Sequence, residues 1–294
     1  MNLALVTVNY NCAPRTLGLL RSLAAQTDRD FATIVVDNDS APRDREVLGR
    51  AASEPLALDI IHADHNGGFA AGCNVGLRRA FGQGADWVLL INPDTTVAPD
   101  FIAQLRATLS DGPALIGLPL QEGGQLVRGG RVRWLHTTLA HTTTPDGGAY
   151  VVGAGMVIHR EVYQRIGGLD ERYFLYFEDV AYTCRARRMG VPVRFLDRPT
   201  ITHAVSQSTS SLGAPALLRY HMRNALLFNH DAGPWWVRMA LPGWAFFATI
   251  KQFVKYLVRP SHRAPARAIL AGVRDYYDNR FGTTAQSEAH RHRV

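Results

Sequence analysis

Cysteine is scarce in this chain. The three residues, Cys12, Cys73 and Cys184, are widely spaced and odd in number. They offer neither a disulfide framework nor a metal-ligand spacing, which points to a reducing compartment. No basic stretch followed by an apolar run stands at the N-terminus, which enters a strand-like segment at once. That argues against secretion and for a cytoplasmic protein. A membrane-spanning run is missing too. The strongest candidate, Met239 to Ile250, has 12 uncharged residues between Arg238 and Lys251 and is broken by Pro242-Gly243. A spanning helix needs about 20 apolar residues. There are no internal repeats, and Asn66-Gly67-Gly68 through Gly76 does not match a G-x-G-x-x-G dinucleotide fingerprint.

What is present suits a large folded unit. The 294 residues, 47% hydrophobic and 19% charged, can bury one α/β domain or a domain with an appendage. The net charge of +7 is placed unevenly. Residues 1–218 carry 20 Lys/Arg against 21 Asp/Glu, a net of −1, whereas residues 219–294 carry 12 against 4, a net of +8. The basic tail suits an anionic partner, nucleic acid or a membrane surface. No known nucleic-acid module and no dense Arg/Lys cluster supports the former, so no nucleic-acid partner is expected.

Over the first hundred residues, short β-rich runs alternate with helix-like segments. Leu3 to Val8, Ala32 to Val36, Leu58 to Ile61 and Trp87 to Ile91 read as strands; Arg15 to Gln26 and segments near 44–52 and 69–81 read as helices. This order predicts a largely parallel sheet covered on both faces. Polar residues follow the strands: Asn9 and Asn11, Asp37-Asn38-Asp39-Ser40, Asn66, then Asn92 and Asp94. Strand ends of this kind would line one crevice, where open α/β sheets hold ligands. From about 111 to 150 the sequence turns Gly-rich and irregular, fitting hairpins or a mobile flap. A strand is expected over Val151 to Ile158, a short helix over Glu161 to Ile166 and another over Val180 to Met189.

Two carboxylate motifs stand out, Asn92-Pro93-Asp94 and Glu178-Asp179. The first offers a carboxylate for a metal, the second one that could take a proton. Together they suggest a metal-assisted transfer rather than a binding module. Simpler roles stay open for each. Asp94 could cap a turn, Asp179 could cap the following helix, and Glu178 could be the base instead. Asp39 divides between donor binding and turn capping, and His203 between ligand contact and a structural hydrogen bond.

These motifs, with Val6-Thr7-Val8-Asn9-Tyr10-Asn11, Val35-Val36-Asp37-Asn38-Asp39-Ser40, Asn66-Gly67-Gly68-Phe69-Ala70-Ala71-Gly72-Cys73-Asn74, Gly153-Ala154-Gly155-Met156, Gly167-Gly168-Leu169-Asp170-Glu171 and His203, run in a telling order. In that order they resemble glycosyltransferase family 2, particularly its bacterial rhamnosyltransferase-like members, over roughly residues 1–230. The resemblance implies a GT-A fold, a nucleotide-diphosphate sugar donor, Mg²⁺ or Mn²⁺, and inversion at the anomeric carbon. Donor-binding positions would be Asn9, Asp37, Asp39, Asn66, Gly68, Asn74, Asn92 and Asp94. Asp37 would meet the nucleobase or ribose, and Asp94, helped by His203, the metal. Asp179 would deprotonate the acceptor hydroxyl beside Glu178. The favoured donor is dTDP-rhamnose, and the acceptor is a saccharide of a cell-surface polysaccharide, free or lipid-linked.

Three positions depart from the family pattern. Only one carboxylate stands in Asn92-Pro93-Asp94, Ala181 replaces a frequent Asp, and Ser206 replaces a frequent Gly after the histidine. The expected organisation is a GT-A domain over 1–214, with a nucleotide-sugar half (1–110) and an acceptor half (111–214), followed by a basic, aromatic-rich helical region over 215–294. Within that region, Trp235 to Val258 divides between a membrane-surface amphipathic helix and a core or dimer helix. Two other functions compete with the transferase. A sugar nucleotidyltransferase is disfavoured by the lack of a Gly-rich basic loop near Asn9 to Pro14, and a non-catalytic scaffold by the Glu178-Asp179 pair.

Overall fold

The computed structural model describes residues 1–50, 55–109, 112–203 and 214–283. Ser206 lies outside them. The first half alternates as expected: β1 (Leu3–Asn9), α1 (Ala13–Ala24), β2 (Phe31–Asp37), α2 (Pro42–Gly49), β3 (Leu58–His62), α3 (Gly68–Gly82) and β4 (Trp87–Ile91). Then come β5 (Thr95–Val97), α4 (Phe101–Thr108), β6 (Leu115–Gly117), β7 (Leu120–Glu122), β8 (Gln125–Val127), β9 (Gly129–Arg131), β10 (Ala140–Thr142) and β11 (Ala149–Tyr150). The chain continues through β12 (Gly155–His159), α5 (Arg160–Ile166), α6 (Glu178–Arg188), β13 (Val193–Phe195) and β14 (Ile201–His203). Three helices follow: α7 (Ala214–Ala232), α8 (Trp235–Val258) and α9 (Arg263–Tyr277).

The main sheet has seven strands in the order β13-β6-β12-β4-β1-β2-β3. Strands β4, β1, β2 and β3 run parallel, and β12 lies antiparallel between β4 and β6. Every residue of β1 is buried because helices cover both faces. Its alternate side chains serve two cores. Leu3 and Leu5 join α1 and α4 in one, while Ala4, Val6 and Val8 join α3 in the other. On α3, Gly72 and Gly76 let the helix press onto β1. A Cβ at Gly76 would stand 2.2 Å from Val6 Cγ1, and one at Gly72 2.7 Å from Val8 Cγ1.

The expected strand over Val151 to Ile158 is divided. Gly155 N–H donates to the Val152 carbonyl at 3.1 Å, closing a turn, and the Gly153 N–H turns to the Asp179 carboxylate. The ladder with β4 therefore begins only at Gly155. The Gly-rich stretch forms hairpins: β10-β9-β11 make one small sheet, and β5-β14-β7-β8 another. The latter brings His203 beside Glu122 in register.

The C-terminal helices brace the site. Between Tyr173 and α6 the backbone is left-handed at Phe174, Tyr176 and Phe177. Such a conformation costs non-glycine residues about 1–3 kcal/mol each. From α7, the Asn224 amide nitrogen lies 2.7, 2.8 and 3.0 Å from the carbonyls of Tyr173, Leu175 and Tyr176. Arg223 Nη2 donates to the Arg172 and Tyr173 carbonyls at 3.2 and 3.1 Å. No described helix is long and apolar enough to cross a membrane.

Candidate active site

At the carboxyl ends of the parallel strands lies a cavity of about 430 Å³. Among the residues lining it are Asn38, Asn66, Gly68, Asn92, Glu122, Glu178, Asp179 and His203. A volume of this size suits a cofactor-sized ligand. Motifs separated by more than a hundred residues thus meet in one place.

The Glu178 and Asp179 carboxylates sit in the first turn of α6. Phe177 occupies the N-cap position, so Asp179 is inside the helix and does not cap it. Its Oδ1 accepts the Val180 N–H at 2.7 Å and its Oδ2 the Gly153 N–H at 3.1 Å. Glu178 has weaker support, from its own backbone N–H, and its Oε2 is buried without a partner among the described residues. Burial raises both pKa values, and the Asp179 charge pushes Glu178 further. Two adjacent buried carboxyls cannot both ionise cheaply. The two backbone donors favour charge on Asp179, which leaves the shared proton on Glu178.

Asp94 stands after β4, with its side chain fully buried. Its Oδ1 lies 3.1 Å from His203 Nε2, while His203 Nδ1 meets Glu122. Burial opposes charge on His203, but the two carboxylates outweigh it and raise its pKa to about 9. The His203 hydrogen bond holds the Glu122 carboxyl below its ordinary range. In this structure both ring nitrogens of His203 face carboxylates, Nε2 towards Asp94 and Nδ1 towards Glu122.

The fit to a divalent cation rests on two atoms. Asp94 Oδ2 and Asn92 Oδ1 are both buried without a partner among the described residues. Hard cations take such oxygens, and Mg²⁺ commonly binds through one or two carboxylates plus substrate phosphates. No group of three or more His, Cys, Asp or Glu suited to a metal exists among the described residues. The donor set therefore fits a cation shared with a phosphate ligand.

The other expected donor contacts divide. Asn66 and Gly68 line the cavity, and Asn66 Oδ1 accepts from Asn38 Nδ2 and the Gly68 N–H, both at 2.9 Å. Gly68 has φ +89°, and a Cβ there would stand 2.3 Å from the Phe174 carbonyl. Asn9 is instead a buried hub, donating to Asp37, Ser40 and Asp44 and accepting from Thr16. Asn74 is also absent from the cavity wall. Its amide is used by Leu169 and Glu171, tying α3 to the turn before α6.

Asp37 is fully buried and held by Arg45 at 2.8 Å and His62 at 3.2 Å. Burial would raise its pKa, but Ser40, His62, Asn9 and Arg45 together bring it below the usual value. Arg45 also reaches Asp39 at 3.0 Å, and neither aspartate lines the cavity. Sequence reasoning missed Glu122, whose hairpin carries no local signal, and Asn38, which lay inside a motif already singled out. It also missed His141, Tyr150 and His221 on the cavity wall. Of the aromatic run, Phe174 and Tyr176 line the cavity while Tyr173 and Phe177 are core.

Solved structures place this architecture. Staphylococcus aureus TarS 1–349, in complex with UDP-GlcNAc, matches with a TM-score of 0.58 and 14% identity, covering 95% of this chain and 92% of that one. The mannosyltransferase PcManGT from Pyrobaculum calidifontis, in complex with GDP-Man and Mn²⁺, matches with 0.56 and 16% identity, covering 95% and 87%. The fold is that of GT-A glycosyltransferases.

Residues 4–167, more than half the chain, match the model of Glycosyl transferase family 2, and the protein belongs to that family. It is a glycosyltransferase. The dTDP-rhamnosyl transferase RfbF of Shigella flexneri is 22% identical over 248 residues, 78% of this chain and 81% of that protein. The N-acetylglucosaminyl-diphospho-decaprenol L-rhamnosyltransferase of Mycobacterium tuberculosis is 25% identical over 301 residues, covering 90% and 95%. The galactofuranosyltransferase GlfT1 of the same organism is 31% identical over 188 residues, covering 58% and 59%.

Proposed function

We propose that the protein is an inverting, metal-assisted glycosyltransferase. It moves a sugar from a nucleotide-diphosphate donor to a hydroxyl of a lipid-linked or cell-surface saccharide. The observation that carries this reading is one cavity lined by Asn92 and His203, the latter paired to Asp94, together with Glu178 and Asp179. Rhamnose carried by dTDP is the favoured donor, supported by the rhamnosyltransferases among the relatives.

Asn38, Asn66 and Gly68 hold the donor, with Asp37 and Asp39 at its nucleoside end through Arg45. Asn9 and Asn74 act through the framework. Asp94 and Asn92 would hold Mg²⁺ or Mn²⁺, with His203 orienting Asp94. That cation supplies charge neutralisation for the departing diphosphate. Asp179 accepts the proton of the acceptor hydroxyl as its oxygen bonds the anomeric carbon and the bond to the diphosphate breaks. One base on the acceptor side suffices for this single displacement. Glu178, carrying the shared proton, keeps Asp179 from facing a second charge. A scaffold would gain nothing from two carboxylates buried beside its own pocket. Peripheral contact with the inner face of a plasma membrane is assigned to the exposed apolar face of α8.

Calorimetry of the full chain with dTDP-rhamnose, UDP-glucose, UDP-galactose and GDP-mannose, with and without Mn²⁺ or Mg²⁺, tests the proposal. Metal-dependent binding of dTDP-rhamnose is expected. Equal binding with and without metal would remove the cation, and preference for another donor would remove the rhamnose assignment.

A further inference from the structure

A second cavity, of about 400 Å³, lies among α7, α8, α9 and the segment Leu135-His136-Thr137. It meets the catalytic cavity at His221, which lines both. Residues 135–137 face the second cavity, while Thr138 and Leu139 face the first. The His221 ring stacks on Tyr176 with centroids 4.1 Å apart, and its Nδ1 is buried without a partner among the described residues. Burial lowers its pKa against a hydrogen bond to the Thr137 backbone, which favours the neutral ring between the two spaces.

The second cavity is amphipathic. Leu218, Met222, Trp244 and Phe247 make its apolar wall, and Lys251 and Gln252 supply polar groups. Lys251 is exposed. From Ala232 through Arg274 the chain has seven Lys/Arg and no Asp or Glu, a setting suited to an anionic occupant. The apolar wall continues outward. Of the fourteen large hydrophobic side chains exposed among the described residues, eleven lie on α8. Met239, Phe246, Ile250, Phe253 and Leu257 follow one helical stripe. Val237, Leu241 and Ala245 bury the opposite face. An acidic, water-soluble partner would leave that stripe in water.

We propose that the second cavity binds the lipid-proximal part of the acceptor, a diphosphate joined to a branched apolar chain, and passes the chain along α8 to the membrane. The saccharide then reaches Asp179 past His221. This assignment rests on the lipid-linked acceptor of the proposed function.

The test uses the full chain and farnesyl diphosphate as probe, followed by calorimetry in saturating dTDP. The variants are Lys251→Glu, at an exposed position, and Ala248→Trp, which fills the cavity. Farnesyl diphosphate is expected to bind with dTDP present, and about tenfold more weakly in each variant. Binding of the nucleotide-sugar donor should be unchanged in both. Displacement by dTDP, or equal binding in both variants, would place the probe in the donor site and overturn the assignment. A concentration-dependent dimer abolished by Phe247→Asp, without probe binding, would give the face to a second copy instead. Donor binding without probe binding sinks only the second cavity; absence of donor binding sinks the proposed function itself.

Discussion

Replacing Asp179 by Asn separates chemistry from architecture. The carboxylate uses both oxygens, one on the Val180 N–H and one on the Gly153 N–H. An amide keeps one oxygen, so one buried N–H loses its acceptor, at about 1–3 kcal/mol. Removing one of two adjacent buried carboxyls offsets part of that loss, so stability should change little. Activity should change greatly. A general base typically contributes about 10²–10⁴-fold, or about 3–5 kcal/mol of barrier. Turnover should fall by that factor while calorimetric donor affinity holds.

The pH dependence of melting gives a second readout. Both carboxyls have raised pKa values in the fold, so folding favours their protonated forms. Their contribution is present below the ordinary carboxylate range and is lost as pH rises through the raised values. Asp179→Asn should flatten that decline, because Glu178 no longer faces a neighbouring charge. Near-wild-type turnover in the variant would refute the assignment of the base.

Three further outcomes are expected. Gly76→Ala should lower the unfolding free energy by about 1–3 kcal/mol, the usual cost of overpacking, since its Cβ would stand 2.2 Å from Val6 Cγ1; an unchanged denaturation midpoint would reject the close α3–β1 seating. Asn224→Ala should destabilise by about 1–3 kcal/mol by removing the amide that serves the Tyr173, Leu175 and Tyr176 carbonyls, and should lower kcat more than it changes the donor KM; equal kcat would show that the left-handed loop holds without it. Glu122→Gln should lower the His203 pKa from about 9. His203 stabilises the fold fully below the ordinary histidine range and loses this as pH rises through its raised pKa. In the variant the loss should be smaller and complete at lower pH, visible in melts between about pH 6 and pH 10.

Much of the fold was legible in local chemistry. β1, β2 and β4 are apolar runs because they lie between two layers, and that burial writes itself into consecutive residues. The Asn92-Pro93-Asp94 and Glu178-Asp179 motifs were visible because charge beside an apolar run is unfavourable without a partner or a task. Other features left no such mark. Glu122 became a partner of His203 only when β7 and β14 paired side by side, a contact spanning 81 residues.

The sequence by itself therefore determined the layered α/β scaffold and the carboxylate types at its strand ends, because periodicity and burial act over a few neighbouring residues. Only the tertiary structure decided which polar groups face the cavity. Asn9, Asp37 and Asn74 are polar residues like Asn38 and Asn66, yet their hydrogen-bonding capacity goes to Asp44, Arg45 and Leu169. It also decided the charge states at the site. Asp179 gains its second backbone donor from Gly153, and His203 its two flanking carboxylates, through contacts 26 to 109 residues apart. A pKa depends on burial and neighbours in space, and neither is encoded within a short stretch of chain.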